Sequence, residues 1–437
     1  MIPQDTDCLV LRREGFGGII FNPIAGVHLE LDGDGFEVAS DFFVRNKTVD
    51  RGFSTSFLRT LLERLGELPK APPRFVENTL PSNGAFRQLS GPTLVDIQIT
   101  SVCTQGCPHC YASSVFRGKH IPFDDLCRIF DQCADSGVLQ VALGGGDPLL
   151  HPDFVRILEA VRLRGMVPNV TTSGAYFTPE NLRALRKYCG AVALSLEGVG
   201  SRYSERRSLG WEGFCESLDV MHENQIPTVL QVTVSAGNLH ELPEIVSFAL
   251  TRELYGVIFL AFKPVGRGDG FDNPLSSCPG AEVSDALARA FRRLSGHTRV
   301  GYDCCLSAVI AGMNENIFGH ANEDLEGCSA LRGSVGISVN QEIVPCTFVE
   351  HLPCGNLQET SVHDCWHGKS AADFREKHEA AVAQDSVCSR CSYAQKCMGG
   401  CPVYDLGRCQ TYSERSLLSR HHPLGIDVSP KHHPRIP

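Results

Sequence analysis

The chain is 437 residues long and 42% hydrophobic, enough material for a large core and for two or three domains. A formal net charge of -10 argues against nucleic acid or an anionic membrane as the main partner, because both select basic surfaces. The 20 cysteines imply either a secreted disulfide framework or metal clusters in a reducing cytosol; Met1-Ile-Pro-Gln-Asp-Thr-Asp7 lacks the basic start and apolar core of a signal peptide, and no run of about 18 apolar residues follows, so a cytoplasmic protein without a membrane span is expected.

Residues 1–68 form a first unit. The alternation in Leu9-Val-Leu-Arg-Arg-Glu14-Gly-Phe-Gly-Gly18-Ile-Ile-Phe21 and in Val27-His-Leu-Glu-Leu31 predicts a small sheet with glycine turns, and a helix is expected from about Ser54 to Leu65. Residues 69–91, with Pro69, Pro72, Pro73 and Pro81, read as a linker.

From residue 92 to 275 strand-like and helix-like patterns alternate, the mark of parallel β/α units. Strands are expected at 94–100, 138–143, 167–172, 191–196, 228–234 and 256–262. In such folds ligands gather where the strands end. The first strand, Leu94-Val-Asp-Ile-Gln-Ile-Thr100, runs into Cys103-Thr-Gln-Gly-Cys107-Pro-His-Cys110-Tyr111. Three thiolates are one short of closing a four-iron cluster, so one iron keeps an open position where a small molecule can chelate through amine and carboxylate. A zinc knuckle or a disulfide framework would use the same residue type. Zinc normally closes with a fourth ligand, however, and His109 lies between two of the thiols, too near both to share their metal easily.

The C-x3-C-x2-C spacing after a strand resembles the signature of the radical S-adenosylmethionine (SAM) enzymes. The resemblance implies a partial (β/α)6 barrel over residues 92–275, in which a [4Fe-4S] cluster on Cys103, Cys107 and Cys110 binds SAM and cleaves it reductively to a 5′-deoxyadenosyl radical. Gly144-Gly-Gly146-Asp147-Pro148 after the second strand resembles the family's Gly-Gly-Glu-Pro, whose bare backbone can approach the SAM ammonium group; Asp147 takes the acidic place. Thr171-Thr-Ser173-Gly174 and Ser195-Leu-Glu197-Gly198 resemble the strand ends that hold ribose and carboxylate, and Arg206-Arg207 stands where the family often has a basic residue. The implied cofactor contacts are Tyr111, Gly145, Gly146, Asp147, Ser173, Ser195, Glu197 and Arg207. Which arginine turns inward stays open, and no residue is given a catalytic role.

Residues 276–415 hold Cys388-x2-Cys391-x5-Cys397-x3-Cys401, preceded by Cys328 and Cys346 and followed by Cys409. By spacing alone a zinc ribbon remains an alternative. The order of parts resembles the SPASM extension of radical SAM proteins, which implies two auxiliary [4Fe-4S] clusters. Cys388, Cys391, Cys397 and Cys409 are implied for the distal one. Cys328, Cys346 and Cys401 are implied for the nearer one, with Cys305 preferred to Cys304 as the fourth ligand. Clusters bound wholly by protein suit electron transfer rather than substrate ligation. Gln341 departs from the pattern, standing where the family's turn has glycine. Residues 416–437, rich in His and Pro, read as a disordered tail.

The whole resembles a radical SAM/SPASM enzyme that modifies a ribosomally made precursor peptide, with an external electron donor of flavodoxin or ferredoxin type. Residues 1–68 resemble the short precursor-recognition, PqqD-like segment of such enzymes; a plain cap on the barrel, with a separate leader-binding partner protein, is the alternative. Crosslinking, epimerisation and backbone excision all begin with the same hydrogen abstraction, and the sequence does not choose among them. A sulfatase-maturing or small redox-cofactor-forming relative, and a non-catalytic metal-stabilised scaffold, are the competing readings.

Overall fold

Two sheets organise the chain. The computed structural model describes residues 7–45, 53–77, 88–311, 327–385, 388–391 and 394–403. Strands β1 (Cys8–Glu14), β2 (Gly17–Asn22) and β3 (Val27–Asp32) form an antiparallel meander, and β4 (Ala71–Glu77) pairs parallel to β1 in the order β3-β2-β1-β4. β4 lies inside the stretch read as a linker. Its partner is some 60 residues upstream, so nothing local announces it. The helix Gly33–Phe43, also absent from the sequence reading, starts where Asp32 accepts a hydrogen bond from the Gly35 amide at 2.8 Å. Phe36 and Ala39 of that helix and Leu58, Leu61 and Leu65 of the helix Phe53–Leu65 close over Leu9, Leu11 and Ile20 of the sheet.

The larger sheet contains β5 (Leu94–Thr100), β6 (Gln140–Gly145), β7 (Val167–Thr172), β8 (Val192–Leu196), β9 (Thr228–Val234), β10 (Gly256–Ala261) and β11 (Arg299–Tyr302), joined at the β5 edge by β12 (Ser334–Ile337), β13 (Glu342–Val344) and β14 (Gly355–Asn356). All neighbours from β11 through β5 to β12 are parallel. The six strands read from the sequence are β5 to β10. The region read as a separate C-terminal unit adds one parallel strand at each end of them. Its Trp366 and Phe374 belong to the same core as Val95 and Ile97, and Trp366 Nε1 donates to the Leu89 carbonyl at 3.1 Å. Amphipathic helices cover the outside of the sheet. Pro179–Tyr188 is representative, with Thr178 accepting from the Asn181 amide at 3.1 Å and Pro179 in the first turn.

The N-terminal sheet docks beneath the barrel, against the N-terminal ends of its strands. Arg12 is fully buried there; its Nη1 donates to the carbonyls of Pro92 and Gly137 at 3.0 and 2.9 Å, just ahead of β5 and β6. Glu14 faces Arg12 Nε at 2.8 Å and accepts from the Ser90 amide at 2.8 Å. Val10, Ile19 and Phe21 pack on Leu139 and Val167, completing an apolar seam.

Candidate active site

The C-terminal ends of the barrel strands open into a cavity of about 380 Å³, within the range of small-molecule sites. Cys103, Cys107 and Cys110 line it, in a loop braced from the far end of the barrel. The Arg267 amide donates to the Cys110 carbonyl at 2.9 Å and its Nε to the Cys107 carbonyl at 3.1 Å. Burial pushes the Cys103 thiol up to about 11 and raises Cys107 too, so the protein alone does not supply thiolates here. Bound iron would, since coordination deprotonates a thiol outright. Three such donors facing one cavity fit a cluster with a free iron.

Gly145 and Gly146 line the cavity, but their bareness has a further cause. A methyl group on either would overlap the carbonyl of Thr100 or of Val102, which lead into the cysteine loop. Gly145 also has φ +112°, outside the reach of ordinary side chains. The Gly146 and Asp147 amides donate to those carbonyls at 2.6 and 2.8 Å. Asp147 is buried and accepts from the Ser173 amide and hydroxyl at 2.9 and 2.6 Å and from Thr172 Oγ1 at 2.9 Å. It ties the end of β6 to the end of β7, and fixes Ser173 at the cavity wall.

Ser195 and Glu197 stand at the end of β8, and the structure resolves the two arginines. Arg207 faces the cavity and donates from Nε and Nη2 to the two Glu197 oxygens at 2.6 Å each. Arg206 turns away, to the Glu197 carbonyl at 3.1 Å and to Glu241. His109, between two of the triad thiols, has its Nε2 3.3 Å from Glu197 Oε1. Burial works against the Glu197 charge, but Arg207 and His109 hold the carboxyl well below its usual range. The Tyr111 ring packs on that of Phe348 with centroids 4.4 Å apart and planes tilted by 35°, bridging to the opposite wall.

That wall carries the second thiol group. Cys304, Cys328, Cys346 and Cys401 line the same cavity, whereas Cys305 is buried behind it. The thiols of Cys304, Cys305 and Cys401 lie within 4.8 Å of one another. Cys304 is also within hydrogen-bonding reach of Cys328. Both Cys304 and the Cys305 preferred from the sequence therefore stand beside Cys401, and Cys304 is the one that faces the cavity. Lys263 Nζ donates to Asp303 Oδ2 at 2.6 Å beside these thiols and sits 4.2 Å from the Phe348 ring centroid. Cys388 lies beside Cys391 and Cys397, off the cavity. Cys409 and residues 416–437 lie outside the described residues. At Gln341 φ is +63°, so this chain keeps the left-handed turn without glycine. Its Nε2 donates to Asp125 Oδ2 at 2.8 Å.

Some cavity residues went unnoticed in the sequence. Asp96, in the middle of β5, lines the cavity, with burial raising its carboxyl to about 6 while the Thr347 hydroxyl pulls it back. An acid in the middle of a parallel strand was the available signal.

Residues 97–249 match the radical SAM superfamily, and residues 328–392 match SPASM, described as an iron-sulfur cluster-binding domain. The AdoMet-dependent heme synthase of Methanosarcina barkeri is 25% identical over 71% of this chain and 91% of its own length. A PqqA peptide cyclase of Ruegeria pomeroyi is 24% identical over 77% of this chain and 87% of its own. The crystal structure of Streptococcus suis SuiB bound to precursor peptide SuiA superposes with a TM-score of 0.65 at 20% identity, covering 92% of this chain and 95% of that one, a likeness of fold. With its triad and its second thiol group lining one cavity, the chain carries a radical SAM domain followed by a SPASM iron–sulfur domain.

Proposed function

We propose that this protein modifies a ribosomally made precursor peptide by radical SAM chemistry. One observation carries the reading: a single cavity has the cluster-forming triad on one wall and a second thiol group on the other. A [4Fe-4S] cluster with SAM supplies a 5′-deoxyadenosyl radical that abstracts a hydrogen atom from the peptide. Cys103, Cys107 and Cys110 hold that cluster. Arg207, kept in position by Glu197, meets the SAM carboxylate, and Ser173 and Ser195 meet polar groups of the same molecule. Gly145, Gly146, Asp147 and Tyr111 shape the wall around it. Cys304, Cys328, Cys346 and Cys401 hold the nearer auxiliary cluster, and Cys388, Cys391, Cys397 and Cys409 the distal one.

The peptide assignment draws on the relatives, whose names include peptide cyclases, and on the N-terminal sheet. The likeness to SuiB covers more of the chain than the barrel and C-terminal region together, and so takes in that sheet. Among the described residues its edge strand β3 has no strand on its outer side, a platform on which an extended leader can add as a further strand. A flavodoxin- or ferredoxin-type protein delivers the reducing electron, in the cytoplasm; a separate leader-binding partner is the alternative to β3. No described helix is long and apolar enough to cross a membrane.

The test is anaerobic reconstitution with iron and sulfide, followed by SAM, dithionite and synthetic peptides for the short reading frames that neighbour this chain's gene. Formation of 5′-deoxyadenosine together with a mass or stereochemical change in the peptide is expected. 5′-Deoxyadenosine without any change in the peptide would overturn the peptide assignment.

A further inference from the structure

Position 96 is an expensive place for an aspartate. β5 lies between β6 and β12 in the interior of the sheet, and aspartate is among the residues least suited to a strand. Its register neighbours on both sides are small, Ala142 of β6 and Gly336 of β12, so no bulky side chain flanks the carboxyl. Oδ2 accepts from Thr347 Oγ1 at 2.8 Å, and Oδ1 has no hydrogen-bond partner among the described residues. The residue is half-buried because it faces the cavity.

The cavity's other carboxylates are already committed. Asp147 is filled by Thr172 and Ser173 and Glu197 by Arg207, while Asp303 gives Oδ2 to Lys263 and has its unpartnered Oδ1 closed off from solvent. The Tyr111 phenol is raised well above its usual range by burial and is a donor at neutral pH. Among the described carboxylates that line the cavity, Asp96 combines an exposed face with an acceptor oxygen left free.

We propose that Asp96 takes the proton that the peptide loses as its carbon radical closes into a new bond, which makes the reaction a net oxidation and not an epimerisation. This rests on the peptide-modifying reading above. The step balances as follows. A peptide C–H hydrogen leaves as an atom, giving 5′-deoxyadenosine and a carbon radical. Bonding of that carbon to a neighbouring X–H group, where X is sulfur, nitrogen, oxygen or carbon, breaks X–H and releases one electron and one proton. The electron passes to a one-electron acceptor of the iron–sulfur class, and the proton passes to the Asp96 carboxylate. Thr347, next in sequence to Cys346, anchors the acceptor where both transfers converge. Epimerisation returns a hydrogen atom to the radical and has no use for a base.

The experiment compares wild type, Asp96→Asn and Asp96→Glu, each reconstituted and given SAM, dithionite and the synthetic precursor peptide deuterated at the reacting carbon. Asp96→Asn should bind the peptide and hold iron like wild type, and should still transfer deuterium into 5′-deoxyadenosine. Its product per 5′-deoxyadenosine should fall about 100-fold or more, the size of a lost general base, with partial recovery in Asp96→Glu. An unchanged product ratio in Asp96→Asn overturns the assignment, and so does a wild-type product of unaltered mass. Should Asp96→Asn fail to fold, Thr347→Val tests the same point, with a drop of about tenfold for one lost hydrogen bond to the acid; an unchanged ratio there also overturns it. A wild type that alters no peptide sinks the underlying reading as well, and is recognised before any variant is made.

Discussion

The two walls of the cavity are built differently. On the barrel wall the acids at the ends of β6 and β8 are satisfied by neighbouring groups: Asp147 by Thr172 and Ser173, Glu197 by Arg207. On the C-terminal wall the nearest neighbours of thiols are other thiols, as among Cys304, Cys305 and Cys401, and burial pushes Cys346 up to about 12. Those acids are complete as protein, apart from the cysteine loop beside them. The second wall is built on thiols and reaches its working charge state only with metal, so its stability and its iron content are one quantity.

The sharpest way to break this contrast is in the triad. Cys103→Ala, Cys107→Ala or Cys110→Ala should abolish SAM cleavage and leave about eight of about twelve iron per chain, because the other thiols need nothing from this loop. Iron analysis and 5′-deoxyadenosine chromatography on one preparation decide it. Loss of all iron would show that the walls are not independent.

Next in size is the choice between neighbouring thiols. Cys304→Ser should lose the nearer auxiliary cluster, about four iron, while Cys305→Ser keeps it. The reverse result would restore the sequence preference.

On the barrel wall, Arg207→Ala leaves the Glu197 carboxylate buried without its partner and should cost about 3–5 kcal/mol, read as thermal stability, whereas Arg207→Ala with Glu197→Gln should recover much of it. The pH dependence has a definite sign. The Glu197 carboxyl is lower in the folded chain than its unfolded value of about 4.3, so its stabilisation is present above that value and lost as acid approaches the folded one. Glu197→Gln should flatten that acid limb.

The smallest effect belongs to the turn at Gln341. Gln341→Ala keeps the left-handed strain and loses the Asp125 hydrogen bond, and should destabilise by about 1 kcal/mol. Gln341→Gly relieves the strain and should fall between that and wild type in a denaturant titration.

What could be read in the sequence followed the range of each signal. β5 to β10 and the triad loop repeat over short distances, with a strand followed by its own polar end, so periodicity and spacing reach them. β12 pairs with β5 across some 240 residues, and β4 with β1 across about 60, and no local pattern records either. The choice between Arg206 and Arg207 stayed open in the sequence for a related reason: both are polar, adjacent and near a strand end, and the Glu197 side chain distinguishes them. Cys304 and Cys305 pose the same problem one residue apart. Asp96 was missed because it stands inside a strand, where attention goes to apolar spacing.

The docking of the N-terminal sheet beneath the barrel sets a ruler for substrates. Strands of six or seven residues, such as β5 and β6, separate that seam from the cavity, a depth of about 20 Å. A peptide held along β3 with its reacting residue in the cavity must cross at least that distance, roughly six extended residues on a straight path and more around the outside of the helices. Precursors whose recognition segment and reacting residue sit closer than this cannot engage both ends of one molecule, so the enzyme would select its substrates by spacing as well as by sequence.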